Sequence, residues 1–292
     1  MRGDRAVTDR IPAVWLVVSG ILSVQVGAAI AKDLFPLIPP TGMVWLRLAT
    51  SAVVLVVLAR PRLRGRSAAD WYVVLAFGTA LMVMNWAIYQ SFARIPLGIA
   101  VTIEFLGPLT LAVLTSRRVK DLAWVALAAV GVALLGLERT DLTVAGVAFA
   151  LVAGAAWAAY ILLSARTGER WPGISGLAVA SLVGTVLLAP PAILESGSAL
   201  LDPRILALGV AIGLLSSVIP YSLELVALRR LSPRVFSILM SLEPAAAALA
   251  AAVILAEFLT WSQVLAVACV VAASVGATRS SRSAGPPTEP HL

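Results

Sequence analysis

Residues 95–114 read IPLGIAVTIEFLGPLTLAVL. At about 1.5 Å per residue these twenty positions form a helix of roughly 30 Å, the thickness of a bilayer's hydrocarbon core. One residue in the stretch ionises, Glu104, near its midpoint. Four positions on, Pro108 interrupts the helical hydrogen bonding, with Gly107 before it. A carboxyl beside a broken turn at that depth is costly, so it must face a cavity or a partner.

The chain echoes this segment in its second half. Ser91–Pro108 (SFARIPLGIAVTIEFLGP) lies over Ala227–Pro244 (ALRRLSPRVFSILMSLEP) without a gap, at an offset of 136 residues. Pro108 meets Pro244 and Arg94 meets Arg230, whereas Glu104 falls opposite Met240 and Glu243 opposite Gly107. Each half thus carries one carboxyl near its proline, but not at the same turn.

Composition places the whole chain in a membrane. Of 292 residues, 60% are hydrophobic and 13% charged, with a mean hydropathy of +0.97; a soluble domain is nearer half apolar and a quarter charged. The net charge of +7 would point to nucleic acid in a soluble protein, but here the arginines sit in short loops as orientation signals, so no nucleic-acid partner is expected. The single cysteine, Cys269, lies in an apolar run and the single histidine, His291, in the tail, which leaves no internal disulfide and no His/Cys metal site. No glycine-rich phosphate loop with its lysine occurs, no aspartate lies inside a span, and serine chemistry would lack its histidine. Neither an enzyme nor a bound cofactor is expected, and the oligomeric state stays open.

Ten helical spans are expected, at about 13–31, 42–59, 71–91, 95–115, 122–137, 144–165, 174–194, 205–226, 234–256 and 261–278. Arg2, Arg5 and Arg10 ahead of the first, with Ala29-Ile30-Ala31 behind it, mimic a signal peptide. The run is longer than a signal core and nine more follow, so it reads as retained. With the N-terminus cytoplasmic, seventeen loop arginines and lysines fall inside and four outside (Lys32, Arg94, Arg139 and Arg204), which puts both termini in the cytoplasm. Ten spans split into two fives, and because five is odd the second half enters from the opposite side. Inverted repeats of this kind place a site near the midplane, built from interrupted helices, here at Gly107, Pro108 and Pro244. Residues 1–12 and the Pro/Ser-rich tail 279–292 lie outside this body and read as cytoplasmic, the tail as disordered.

One basic residue remains within a span, Arg47, which either snorkels outward or faces a central cavity as a fixed anion contact. Three acids lie within spans: Glu104, Glu243 and Glu224, the last within a turn of the inner end, where it either reaches Arg229, Arg230 or the cytoplasm or joins the site. Glu104 and Glu243 are the substrate-binding or proton-coupling candidates by depth, with a structural ion pair to Arg47 as the alternative. Taking a carboxyl out of water disfavours its charged form, which suits a proton carrier. Gln25, Gln90, Thr102, Ser216, Ser217, Ser237 and Ser241 read as interhelical glue. Asn85 and Tyr89, Trp157 and Tyr160, and Tyr221 are candidate cavity-lining residues, with interfacial or lipid-facing placement as the alternative.

Three stretches resemble a known family. FARIPLGIAVTIEFLGPL (Phe92–Leu109) followed by Ser116-Arg117-Arg118, and SSVIPYSLE (Ser216–Glu224) continuing through LMSLEP (Leu239–Pro244), look like helices four, eight and nine of threonine/homoserine exporters. These form part of the EamA-domain branch of the drug/metabolite transporter superfamily. Ala256-Glu257 with Leu259-Thr260 resembles the Gly-Glu-x-Leu-Thr ending of EamA halves, with Ala in place of Gly. The resemblance implies an all-α membrane protein of ten helices in two inverted EamA repeats, 13–137 and 144–278. It also implies a bacterial plasma membrane, and a small neutral amino acid as the substrate of a secondary exporter working by alternating access. Protons and membrane lipid are then the remaining partners. Export of another metabolite or a cationic drug is the alternative. A zwitterionic amino acid gives the charges a logic: its carboxylate toward Arg47 or a helix break, its ammonium toward Glu104 or Glu243.

Overall fold

The computed structural model describes residues 12–116, 121–135, 142–228 and 230–280. These are all helix and connection, with no strand among them. In chain order the helices are α1 (Ala13–Asp33), α2 (Pro40–Ala59), α3 (Ala68–Phe92), α4a (Leu97–Glu104), α4b (Leu106–Ser116), α5 (Leu122–Leu135), α6 (Val144–Arg170) and α7 (Ser175–Ser196). They continue with α8a (Pro203–Gly213), a wide π turn (Leu214–Val218), α8b (Ile219–Leu228), α9a (Pro233–Met240), α9b (Glu243–Leu255) and α10 (Trp261–Ser280). Among the described residues nine helical stretches are long and apolar enough to cross a bilayer. The tenth, α5, expected over 122–137, is helical over Leu122–Leu135, and residues 136 and 137 lie outside the described residues.

Local sequence explains where the helices begin. Ser67 and Asp70 cap α3 reciprocally. Thr143 and Ser232 accept amide hydrogens at the starts of α6 and α9a, and Pro40, Pro203 and Pro233 occupy first-turn positions whose missing amide costs nothing. The capping box starts α3 at Ala68, ahead of the expected 71–91, and α6 runs past the expected 144–165 to Arg170, because polar end turns continue a helix past its apolar window. Likewise α10 runs through Arg279 to Ser280, which had been assigned to the tail. The terminal segments 1–11 and 281–292 lie outside the described residues.

The helices pair across the two halves in a pattern that survives exchanging each helix with the one five places away. α3 packs on α6 as α1 packs on α8b, α4 packs on α6 as α9b packs on α1, and α2–α7, α5–α10 and α4–α9, taken as whole helices, are their own counterparts. The outside is apolar: Val53, Leu58, Val186 and Val253 are each more than 60% exposed, a surface whose solvent is lipid. Polar side chains such as Thr41, Ser91, Thr102 and Ser241 are buried inside.

Both expected helix interruptions are present, displaced toward the N-terminus. The first falls at Phe105, between α4a and α4b, and the second at Ser241-Leu242, between α9a and α9b. Proline removes the hydrogen bond to the residue four places earlier and pushes its carbonyl aside, so Pro108 loosens the chain at Glu104 and Pro244 at Met240. Gly107 serves a second purpose. It crosses α6 at Gly154, where a Cβ on Gly107 would lie 1.9 Å from the Gly154 carbonyl oxygen, and a Cβ on Gly154 would lie 2.6 Å from that of Glu104. Gly154→Ala is therefore expected to cost about 1–3 kcal/mol, read as a lower unfolding temperature in detergent. Gly168→Ala, on the same helix with nothing within 4 Å, should not lower it.

Ala256 ends α9b with φ 55°, ψ 27°, a left-handed cap in which the Glu257 amide donates to the Ala251 carbonyl at 3.1 Å. The left-handed region penalises a Cβ, which accounts for glycine at this position in the resembling sequences. Ala256→Gly should raise stability by about 1 kcal/mol, measured as an upward shift of the same unfolding transition.

Candidate functional site

Between the repeats lies a cavity of about 180 Å³. Its walls come from α1, α2, α3 and α4a on one side and α6, α8 and α9 on the other. Arg47 shows how the fold supplies its polar groups. Pro220 has no amide to return to the carbonyl four residues earlier, that of Ser216, and the helix widens into the π turn at that point. Arg47 Nη2 donates to this Ser216 oxygen at 3.0 Å. Its Nε reaches Ser217 Oγ at 3.3 Å, and its Nη1 reaches the Tyr89 hydroxyl at 3.4 Å. The guanidinium lies 5.6 Å from the Tyr89 ring centroid and the side chain is buried. Arg47 therefore points into the cavity wall and does not snorkel to the outer surface.

The three intramembrane acids border the same cavity. Glu104 is the last residue of α4a and Glu243 the first of α9b, so the two carboxyls flank their helix breaks from opposite sides. Both are buried. Glu224 projects from α8b, one turn beyond Pro220, and lines the cavity; Arg229 lies outside the described residues. None of the three makes a hydrogen bond or ion pair among the described residues. Glu243 lies within electrostatic reach of Glu224 and Glu104, and Glu104 within reach of Arg47.

The aromatic and amide candidates line the cavity as well. Asn85 and Tyr89 face it from α3 and Trp157 and Tyr160 from α6. Asn85 Nδ2 is turned back to the Leu81 carbonyl at 2.8 Å. Trp157 packs edge-on against Phe105, ring centroids 5.4 Å apart, beside the first break. Tyr160 stacks near Phe77 at 5.1 Å. Tyr221 lies on α8b, and its side chain falls outside the described part of the structure. Gly107 and Pro108 lie beyond the cavity, on the α6 crossing, and Pro244 behind Glu243.

Sequence reading assigned Gln25 and Ser216 to interhelical glue, yet both line the cavity. A second cluster went unrecognised because its parts are far apart in the chain. Lys32 Nζ pairs with Glu257 Oε1 at 2.5 Å and donates to the Ile95 carbonyl at 2.9 Å. Glu257 Oε2 accepts the Leu97 amide at 2.9 Å. The ends of α1 and α9b and the start of α4a are thereby tied at one end of the molecule. Between this tie and the cavity, Ala31, Leu97, Ile99 and Ala100 are fully buried.

Comparison with known proteins agrees with this arrangement. Residues 144–279 match the EamA-like transporter family. Threonine/homoserine exporter RhtA of Salmonella typhimurium is 42% identical over 283 residues, 94% of this chain and 95% of the relative. The protein of the same name from Escherichia coli K12 is 42% identical over 276 residues, 93% of this chain and 92% of the relative. A solved crystal structure shares the fold, with a TM-score of 0.64 and 22% identity across 92% of this chain and 97% of its own. An all-helical body of paired halves, closing on one charged cavity and related to named exporters over nearly its whole length, belongs to the EamA-like transporter family and is a multi-pass membrane transporter rather than an enzyme.

Proposed function

We propose that this chain is a secondary exporter of small neutral amino acids of the threonine and homoserine class in a bacterial inner membrane, with repeats over 13–137 and 144–278 and both termini cytoplasmic. The observation that carries the reading is a single cavity bordered by Arg47 and Glu104, from the first half, and by Glu224 and Glu243, from the second, with Glu104 beside the break in α4. The exporter names of the relatives support the substrate class. A zwitterion fits such a space. Arg47 is already oriented by Tyr89, Ser216 and Ser217, and its fork suits a carboxylate, while Glu104 or Glu243 takes the ammonium. Three carboxyls facing one guanidinium leave negative charge unbalanced. Two protons would cancel that excess of two negative charges, and a zwitterion, having no net charge, would not, which supports proton binding at these carboxyls.

The tie at Lys32 and Glu257 supports an alternating-access reading. It joins the two repeats at the end that the loop charges assign to the outside, and the packed residues beneath it seal the cavity on that side. Release outward requires the tie to part.

The first test is export from a bacterial host. Overexpression should raise external threonine and homoserine. Glu104→Gln, Glu243→Gln and Arg47→Lys should each reduce export by about tenfold or more, and collapse of the proton gradient in energised vesicles should stop it. Normal export by both glutamine variants would remove the carboxyls from the mechanism. The tie is tested separately in a Cys269→Ala background: Lys32→Cys with Glu257→Cys, cross-linked, should block transport, and reduction should restore it. Transport by the cross-linked protein at the unlinked rate would show that this end need not open.

A second reading, export of a cationic metabolite or drug, is favoured by the excess of carboxyls over the one already engaged guanidinium. Competition of threonine export by lipophilic cations separates the two: potent inhibition with no amino-acid flux would select the second.

A further inference from the structure

We propose that Gln25 reads an uncharged hydroxyl on the transported molecule and so sets a preference for hydroxylated over plain aliphatic amino acids. The inference rests on the amino-acid export reading above. Gln25 sits midway along α1, is 4% exposed and lines the cavity. Neither end of its amide has a hydrogen-bond partner among the described residues, and Oε1 is shut off from solvent altogether.

The neighbouring neutral polar groups differ. The Asn85 amide nitrogen donates to the Leu81 carbonyl, the Tyr89 hydroxyl is engaged by Arg47, and Gln90 by Thr41. Ser216 Oγ also lacks a partner, but it is wedged against Gly27 of α1, where a Cβ would lie 2.2 Å from it, so it occupies the seam between helices. Gln25 is flanked on the cavity face of α1 by Val24 and Ala28. A leucine or methionine would fill its position without leaving a polar group unpaired at membrane depth. The fold therefore does not call for an amide here, and a cavity occupant is what would satisfy it.

The chemistry of that occupant follows from the amide itself. A primary amide carries donors and an acceptor without net charge. An ammonium offers only donors and a carboxylate only acceptors, so each answers half of it, and both have charged partners in Glu104, Glu243 and Arg47. A hydroxyl is donor and acceptor together and matches both halves, accepting from the amide nitrogen as it stands and donating to the oxygen once the amide rotates to bring that enclosed atom round. An analogue that lacks it leaves the amide unpaired, the condition under which sites discriminate most strongly.

The experiment compares threonine and homoserine with 2-aminobutyrate, the deoxy analogue of both, in proteoliposomes of the full chain. The wild type should move the hydroxylated pair at least about tenfold more efficiently. Gln25→Met, close in size, should cut threonine flux by a similar factor while leaving 2-aminobutyrate flux within about twofold, so that the preference collapses. The proposal is overturned by a wild type without the preference, a measurement that needs no variant, or by a Gln25→Met protein that keeps the preference or loses both fluxes equally. Absence of flux for all three amino acids in the wild type marks the separate failure of the export reading, and this proposal falls with it.

Discussion

Three prolines set the interior of this protein by withholding an amide hydrogen. Pro108, Pro220 and Pro244 cannot return the helical bond to Glu104, Ser216 and Met240. In lipid no water repairs such a gap, so each freed carbonyl must be met by protein or opened onto a cavity. At Ser216 the answer is Arg47, whose guanidinium donates to that oxygen. At Glu104 the answer is close approach to Gly154, possible because neither that residue nor Gly107 carries a side chain. The breaks and the charges thus explain one another.

The two halves share a fold but not a chemistry. Exchange of helices five apart preserves the packing pattern, yet Glu104 closes its half-helix while Glu243 opens its own. The halves also differ at their loops: Glu257, after the second repeat, reaches back to Lys32 and Leu97 in the first. A symmetric frame with unlike side chains gives the central cavity two different linings: Arg47 and Glu104 from the first half, Glu224 and Glu243 from the second.

Much of this was legible beforehand, and for definite reasons. Spans of about twenty apolar residues have few alternatives to helix in a bilayer, and an unbroken echo at an offset near half the chain implies two related units. An ionisable residue inside a span has few places to go, so Glu104 and Glu243 stood out by depth, while Arg47 and Glu224, nearer the span ends, also had a route outward. The break positions were legible only to within a turn, because proline acts on the carbonyl four residues earlier. The direction of Arg47 was not legible at all. Nothing in LRLAT announces that residues 89, 216 and 217 will converge on it.

Sequence alone therefore determined what hydrophobicity and covalent geometry dictate locally: which segments enter the membrane, that they are helical, where prolines interrupt them and which charges are stranded. Tertiary structure alone decided which stranded groups meet. The partnership of Lys32 with Glu257 and the unpaired amide of Gln25 depend on contacts between residues more than a hundred positions apart, or on the lack of them. A lone amide and an engaged one read identically in sequence, because satisfaction of a hydrogen bond belongs to the pair and not to the residue.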